Sequence, residues 1–219
     1  TQLQKSLQAF YSDVKDDCTP ENPNGIPEKA IRPIGTLHLT LGVMSLLTPE
    51  RIDDALALLR SLDIRNLLNS PITASALAAD TKDYIPQAAA AAAAPEPLNI
   101  TLRGLNTMHA PAKTSVLYSS PLDPDGRLYE FCSALRAAFV DFLVAEDRPL
   151  LLHATIVNTI YVSGVRERGS VAGAGAGYGR DRSRMTIDAS DLLERYADAV
   201  WMEGCRVEKV AICKMGARK

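Results

Sequence analysis

The chain has 219 residues, of which 47% are hydrophobic and 23% charged, with a formal net charge of −2 at pH 7. This composition is typical of a globular protein with one large domain or two joined lobes. The pI near 5.9 argues against a protein that grips duplex nucleic acid through an overall positive field. A small site that binds one phosphate or a short single strand remains compatible with this charge.

The cysteines indicate a protein without a zinc site. Cys18, Cys132, Cys205 and Cys213 form no CxxC pair and no cluster with histidine. We expect Cys132 and Cys213 to be small buried hydrophobic residues in a reducing compartment, the cytoplasm or the nucleus. No apolar stretch approaches the roughly 20 residues of a membrane-spanning helix, so no membrane association is expected.

The first third of the chain is predicted to contain helix, strand and helix in that order. Apolar residues at three- and four-residue spacing predict an amphipathic helix over 1–16. The alternating stretch GTLHLTLGV, residues 35–43, predicts a strand. The sequence TPERIDDALALLRSLD then predicts a helix with Thr48 as its N-cap and Pro49 at its first position.

Two further strands are predicted on either side of an alanine-rich segment. Residues 71–79 and 98–108 have strand patterns, and the second alternates strictly. Prolines at 86 and 95 flank the alanines between them. We therefore interpret residues 85–97 as a surface insertion without chemistry.

The second half repeats a similar order of elements. A Gly/Arg-rich loop over 163–184 could act as a lid in which Arg180, Arg182 and Arg184 attract an RNA backbone, or could be a plain solvated loop. Before this loop we predict strands over 113–122 and 150–162 and a helix over 127–143. After it we predict a helix over 188–198 and a strand over 205–217. The two halves, each with one His-x-Thr strand, indicate an internal pseudo-repeat within a single domain over 1–219.

The two histidine motifs are HLTL, residues 38–41, and HATI, residues 153–156. Residues i and i+2 of a strand share a face, so His38 is expected beside Thr40 and His153 beside Thr155. The intervening apolar residues can then pack on helices. If the two halves face each other, both histidines and both threonines meet in one cleft.

Such a cleft suits phosphoester cleavage without a metal. A neutral imidazole can take a proton from the nucleophile and an imidazolium can protonate the leaving oxygen, since free histidine has a pKa of about 6.5. Threonine hydroxyls can donate to the non-bridging phosphate oxygens. The motif faces carry no carboxylate, which argues against a two-magnesium mechanism, and no cofactor or metal is expected.

A structural role is the alternative for each of these residues. One histidine on a strand is more often hydrogen-bonded and structural than catalytic, and we assign that role to His109. Two copies of His-apolar-Thr-apolar that use two of three histidines favour a shared function. Tyr118 and Trp201 could stack on a base, but packing is the default expectation for both.

The paired motifs resemble the H-Φ-[ST]-Φ signatures of the two-histidine (2H) phosphoesterase superfamily. The stretches GIPEKAIRPIGTLHLTLGVMSLLTPERIDDALALLRSLD and VEKVAICKMGA resemble one branch of it most closely. That branch includes the central domain of A-kinase anchoring proteins and a subunit of the activating signal cointegrator complex. The resemblance covers residues 25–216, and we expect a fungal member.

The resemblance implies an α+β, bilobal fold with two antiparallel sheets facing across a central groove and helices outside. It implies His38 and His153 as the acid–base pair and Thr40 and Thr155 as phosphate donors. The implied substrates are 2′,3′-cyclic phosphates, 2′–5′ linkages or RNA 3′ ends. Because members of this branch can bind nucleotides without hydrolysis, the alternative is a non-catalytic module that binds AMP, CMP or short single-stranded RNA.

Overall fold

The computed structural model describes residues 1–15, 25–69, 97–146, 148–162 and 185–215. The N-terminal helix is confirmed as α1, Gln2–Val14. The Thr1 hydroxyl caps this helix by accepting a hydrogen bond from the Gln4 amide at 3.3 Å. The side chains of Leu7, Phe10 and Val14 are buried, as the helical spacing predicts.

The helix predicted after the first motif is confirmed as α2, Pro49–Ser61. Its N-cap is Thr48, whose hydroxyl accepts from the Arg51 amide at 3.3 Å. A short helix, α3, Ile64–Asn69, follows it. The carboxylate of Asp63 accepts from two amides at the start of α3, so a local polar residue begins this helix too.

The helix predicted over 127–143 is α4, Arg127–Ala138, which ends five residues before its predicted end at Leu143. The Asp123 carboxylate accepts from the amides of Leu128 at 3.0 Å and Tyr129 at 2.7 Å at the start of this helix. Burial raises the pKa of Asp123, and these two bonds oppose that rise. The last helix, α5, is Ser190–Arg195.

Four strands form one sheet in the order β3-β2-β1-β4. The strands are β1, Asn99–Thr107; β2, Val116–Leu122; β3, Ala154–Asn158; and β4, Val200–Arg206. Strands β2 and β3 are antiparallel. Helices and an antiparallel sheet agree with the predicted α+β class, whereas a second sheet facing this one stays a prediction.

Both edge strands of this sheet are bonded by other segments. On β3, Ile31 forms an antiparallel bridge with Val157, and the Arg32 amide donates to the Ile156 carbonyl at 2.8 Å. On β4, the Glu203 amide donates to the Gln2 side chain at 3.0 Å, and the Ser6 hydroxyl donates to the Val200 carbonyl at 3.5 Å. The edges of the sheet therefore have hydrogen-bond partners from outside it.

The strand predicted over 35–43 is wrong. Residues Ile34–Thr36 form a single 3₁₀ turn, closed by a bond of 2.8 Å from the Thr36 amide to the Pro33 carbonyl. Leu37 is extended, with φ −71° and ψ 133°, and Leu39 forms an isolated β-bridge, but no residue of 37–43 belongs to a named strand. Pro33 has no amide proton for a strand ladder, and the amides of Thr36 and Leu37 bond within the turn, to the carbonyls of Pro33 and Ile34.

The closing strand predicted over 205–217 is also wrong. The structure places β4 at Val200–Arg206, and residues 207–215 form neither helix nor strand. Cys213 is exposed rather than buried, whereas Cys132 is buried as expected. The strand predicted over 71–79, the loop over 163–184 and all but Pro97 of the insertion over 85–97 lie outside the described residues.

The described chain divides into two compact units, each assembled from separate segments. Unit 1 contains Thr1–His38, Leu102–Pro121 and His153–Glu203. An aromatic cluster in unit 1 joins Phe10, Tyr196 and Trp201, with the last two rings stacked at 5.9 Å. Trp201 is 1% exposed, and its indole donates to the Gly104 carbonyl at 2.8 Å, which confirms the packing expectation for this residue.

Unit 2 contains Leu39–Thr101, Leu122–Leu152 and Gly204–Lys219. Its buried core is an apolar cluster with four residues from α4, one next to β1 and one next to β3. The members of this cluster are Leu98, Leu128, Phe131, Cys132, Leu135 and Leu152. No helix among the described residues is long and apolar enough to cross a bilayer.

Candidate functional site

The second motif begins at the start of β3. His153 directly precedes the strand and Thr155 lies within it, while Ala154 and Ile156 between and after them are buried. Residues i and i+2 share a face of an extended chain, so His153 and Thr155 project to the same side. The apolar residues of HATI therefore anchor the strand, and the polar ones are half-buried on its other face.

A tyrosine of the neighbouring strand faces this pair. The register of β2 on β3 places Tyr118 opposite Thr155. The Tyr118 and His153 rings are 5.4 Å apart between centroids and inclined at 68°, an edge-to-face contact. Three chemically capable side chains thus lie on one face of β2 and β3.

The histidine of the first motif is exposed, and one of its ring nitrogens bonds to a backbone carbonyl. The His38 Nδ1 atom lies 2.7 Å from the Thr36 carbonyl oxygen. A carbonyl only accepts hydrogen bonds, so Nδ1 carries the proton and the neutral ring has its lone pair on Nε2. In this form His38 can accept a proton at Nε2.

The apolar residues of the first motif are on the expected side although the segment is not a strand. Leu39 and Leu41 pack against the buried cluster of unit 2. Thr40, between them, is half-buried. Leu39 and Leu41 therefore share a packing partner, as their two-residue spacing predicts.

The chain that leads to the first motif is bonded to the strand of the second. The bridge between Ile31 and Val157 and the amide bond from Arg32 to Ile156 are both antiparallel contacts on β3. In an antiparallel pair the chain after Ile31 runs towards the start of β3, which is the end where His153 lies. The Arg32 guanidinium also lies 3.9 Å from the centre of the Tyr161 ring.

The structure brings some of the predicted site residues into one unit. His38, His153 and Thr155 belong to unit 1, and Thr40 belongs to unit 2. The convergence of all four side chains stays a prediction. The arginines of the predicted lid, Arg180, Arg182 and Arg184, lie outside the described residues.

The sequence does not reveal the place of Tyr118 beside His153, since it indicates packing as the default for this residue and stacking on a base as the alternative. Its place on the motif face follows from a shift in register between Leu117 and Tyr118, where β3 has one more residue than β2. Had the pairing continued regularly from Leu117 and Val157, Tyr118 would face Ile156 instead. No sequence signal at this point predicts that shift.

The third histidine has a structural contact. The His109 Nδ1 atom lies 3.5 Å from the hydroxyl of Thr114, a fully buried residue. The amide of Thr114 in turn donates to the Ile187 carbonyl at 3.0 Å. This contact agrees with the structural role assigned to His109. Among the described residues no three His, Cys, Asp or Glu side chains are grouped to hold a metal ion.

Comparison with known proteins identifies the family. No curated protein matches the chain. The family model described as "AKAP7 2'5' RNA ligase-like domain" matches residues 1–219, the whole chain. With the paired His-x-Thr motifs in place, the chain belongs to this AKAP7 2'5' RNA ligase-like family of two-histidine phosphoesterases.

Proposed function

We propose that the chain is a metal-independent phosphoesterase that cleaves a phosphodiester of a nucleotide or an RNA. The candidate substrates are 2′,3′-cyclic phosphates, 2′–5′ linkages and RNA 3′ ends. The observation that carries this proposal is the duplicated His-x-Thr motif in a chain that matches the 2'5' RNA ligase-like family over its full length. Nucleotides or short single-stranded RNA are accordingly the proposed partners, in the cytoplasm or nucleus.

The proposed reaction uses one histidine as base and the other as acid. The base removes a proton from water or a hydroxyl, whose oxygen forms a bond to phosphorus while the bond to the leaving oxygen breaks. The acid then supplies the proton that the leaving oxygen needs. The bond from His38 Nδ1 to the Thr36 carbonyl supports this role because it leaves Nε2 available to exchange a proton.

The two threonines are proposed to hold the phosphate. Their hydroxyls would donate to the non-bridging oxygens, whose charge grows in the transition state. Thr155 shares a face with His153, as this role requires. The proposed fold places both motifs at the centre of a groove between two facing antiparallel sheets, in two pseudo-symmetric lobes.

The test is a cleavage assay in EDTA against a panel of 2′,3′-cyclic nucleotides, 2′–5′ oligoadenylate and 3′-end-labelled RNA. We expect the wild type to cleave at least one of them with a bell-shaped pH profile. His38→Ala and His153→Ala should each lose about 10²–10⁴-fold in kcat, the usual contribution of general acid–base catalysis. The matched control is His109→Ala, which removes the third histidine and should retain most of the activity.

Two results would contradict the proposal. Cleavage retained by the double variant of His38 and His153 would place the chemistry elsewhere. Tight binding of AMP or CMP without turnover of any substrate on the panel would instead identify a nucleotide-binding module.

A further inference from the structure

The contact between Tyr118 and His153 joins two half-buried side chains of adjacent strands. Their centroids are 5.4 Å apart and the rings are inclined at 68°. This is the edge-to-face geometry that aromatic rings prefer, because the positive edge of one ring meets the negative face of the other. The contact therefore favours one orientation of the imidazole over its other rotamers.

The backbone around Tyr118 is held firmly. Leu117 and Ser119, the neighbours of Tyr118 in β2, are both fully buried. The Ser119 hydroxyl also donates to the Arg103 carbonyl of β1 at 3.2 Å. Because the buried residues on either side restrict the backbone of Tyr118, its ring is a rigid packing surface for the imidazole.

The register shift between β2 and β3 places the Tyr118 ring on the motif face. Leu117 pairs with Val157, and the next residue, Tyr118, pairs with Thr155. Irregularities of this kind re-aim a side chain and are frequent beside functional sites. Here the shift turns Tyr118 to the face that carries the motif's histidine and threonine.

We infer that Tyr118 is a positioning residue that holds the His153 imidazole in the orientation needed for proton transfer. The inference rests on the proposed function and adds a residue outside both motifs to it. Proton transfer requires the ring nitrogen to be within hydrogen-bond reach of the reacting oxygen, so free rotation of the ring lowers the productive fraction. The ring of Tyr118, rather than its hydroxyl, makes the contact.

The experiment compares Tyr118→Phe, which keeps the aromatic ring, with Tyr118→Leu, which removes it. We expect Tyr118→Phe to stay within about twofold of wild type and Tyr118→Leu to lose roughly tenfold in kcat with little change in KM. The control is Tyr161→Leu, which removes an aromatic ring of unit 1 that contacts Arg32 instead of His153. This control should retain wild-type kcat.

A second readout needs no substrate. In ligand-free protein, the ¹H–¹³C NMR signals of the His153 ring, assigned with His153→Ala, report the ring current of Tyr118. They should move in Tyr118→Leu and stay in place in Tyr161→Leu. If Tyr118→Leu does not fold, Tyr118→Val, which suits a strand better, replaces it.

Three results would overturn the inference. The first is a rise in KM at unchanged kcat, which would indicate that Tyr118 stacks on the substrate base. The second is an equal loss of kcat in Tyr118→Phe and Tyr118→Leu, and the third is an unmoved His153 signal in Tyr118→Leu. If wild-type protein cleaves nothing, the proposed function fails, and the NMR comparison alone decides whether Tyr118 holds the imidazole.

Discussion

The thiol of Cys132 shows how burial controls reactivity in unit 2. Burial, aided by the nearby Asp123 carboxylate, raises the pKa of Cys132 to about 12. The thiolate is the nucleophile, and a pKa near 12 leaves about one molecule in 10⁴ ionised at pH 8. Cys205 and Cys213 are exposed.

We therefore expect the native protein to react with a maleimide at Cys205 and Cys213 and to leave Cys132 unmodified at pH 8. Peptide mapping by mass spectrometry measures each site separately. After unfolding in guanidinium, Cys132 should react with the maleimide as the other thiols do, because its pKa then returns to the ordinary value. Rapid labelling of Cys132 in the native protein would contradict its burial in the apolar cluster.

The residue types of the site could be predicted from the sequence, but their neighbours could not. The repeated His-x-Thr pattern predicts His153 and Thr155 on one face, because both the spacing and the chemistry are local, and their role in the site stays a prediction. The place of Tyr118 beside His153 could not be predicted, since it depends on the register of β2 against β3. Burial was predicted for both Cys132 and Cys213 from the apolar residues around them, and it is confirmed for Cys132 and wrong for Cys213, which is exposed.

At the scale of elements, Arg32 contributes to unit 1 in two separable ways. Its amide donates to the Ile156 carbonyl of β3, and its guanidinium stacks over Tyr161. Arg32→Ala removes only the second contact. Arg32→Pro removes both, because proline has no amide proton. Ile31 already has the extended backbone that a following proline requires, with φ −78° and ψ 129°.

The difference in stability between Arg32→Pro and Arg32→Ala measures the contribution of the hydrogen bond from the Arg32 amide to the Ile156 carbonyl of β3. We expect Arg32→Pro to be less stable than Arg32→Ala by about 1 kcal/mol, which lowers Tm by a further 2–4 °C or so. Its cleavage rate should also fall below that of Arg32→Ala, since His38 loses an anchor. Equal melting temperatures and rates in thermal and kinetic assays would show that this bond contributes nothing.

Elements with local signals were predicted well, and those that need a distant partner were not. The cap at Thr48 with Pro49 predicted α2, and strict alternation predicted β1. In contrast, β4 was missed because Gly204, with φ +56°, interrupts its strand pattern. At the first motif the structure shows an isolated bridge at Leu39 instead of the predicted strand, and the length of such a pairing depends on its partner rather than on the local pattern.

At the scale of the whole molecule, each unit is assembled from three segments that are far apart in the chain. A cut in the turn after Leu122 divides both units, because each keeps segments on both sides of it. It also separates Phe10 from Trp201, which pack at 5.3 Å. The compact units therefore do not coincide with the two halves of the chain, and the pseudo-repeat indicated by the sequence stays a prediction.

We expect fragments 1–122 and 123–219, expressed separately, to lack a cooperative unfolding transition. Trp201, the one tryptophan of the chain, is buried in the intact protein. Its fluorescence should therefore shift to the red in the isolated second fragment. Mixing the fragments should restore the blue-shifted emission in part. A cooperative transition of either fragment alone would show that one half folds without the other.

The occupied edges of the sheet bear on solubility. An uncovered edge strand offers a row of unpaired amides and carbonyls to which a strand of another molecule can add. Here Ile31 and Arg32 occupy such groups on β3, and Gln2 and Ser6 of α1 occupy others on β4. Loss of either cover would expose a template for intermolecular strand pairing. The short segment before His38 therefore also protects the edge of β3 from pairing with another molecule. Substitutions at Ile31 or Arg32 can thus affect aggregation as well as the position of the first motif.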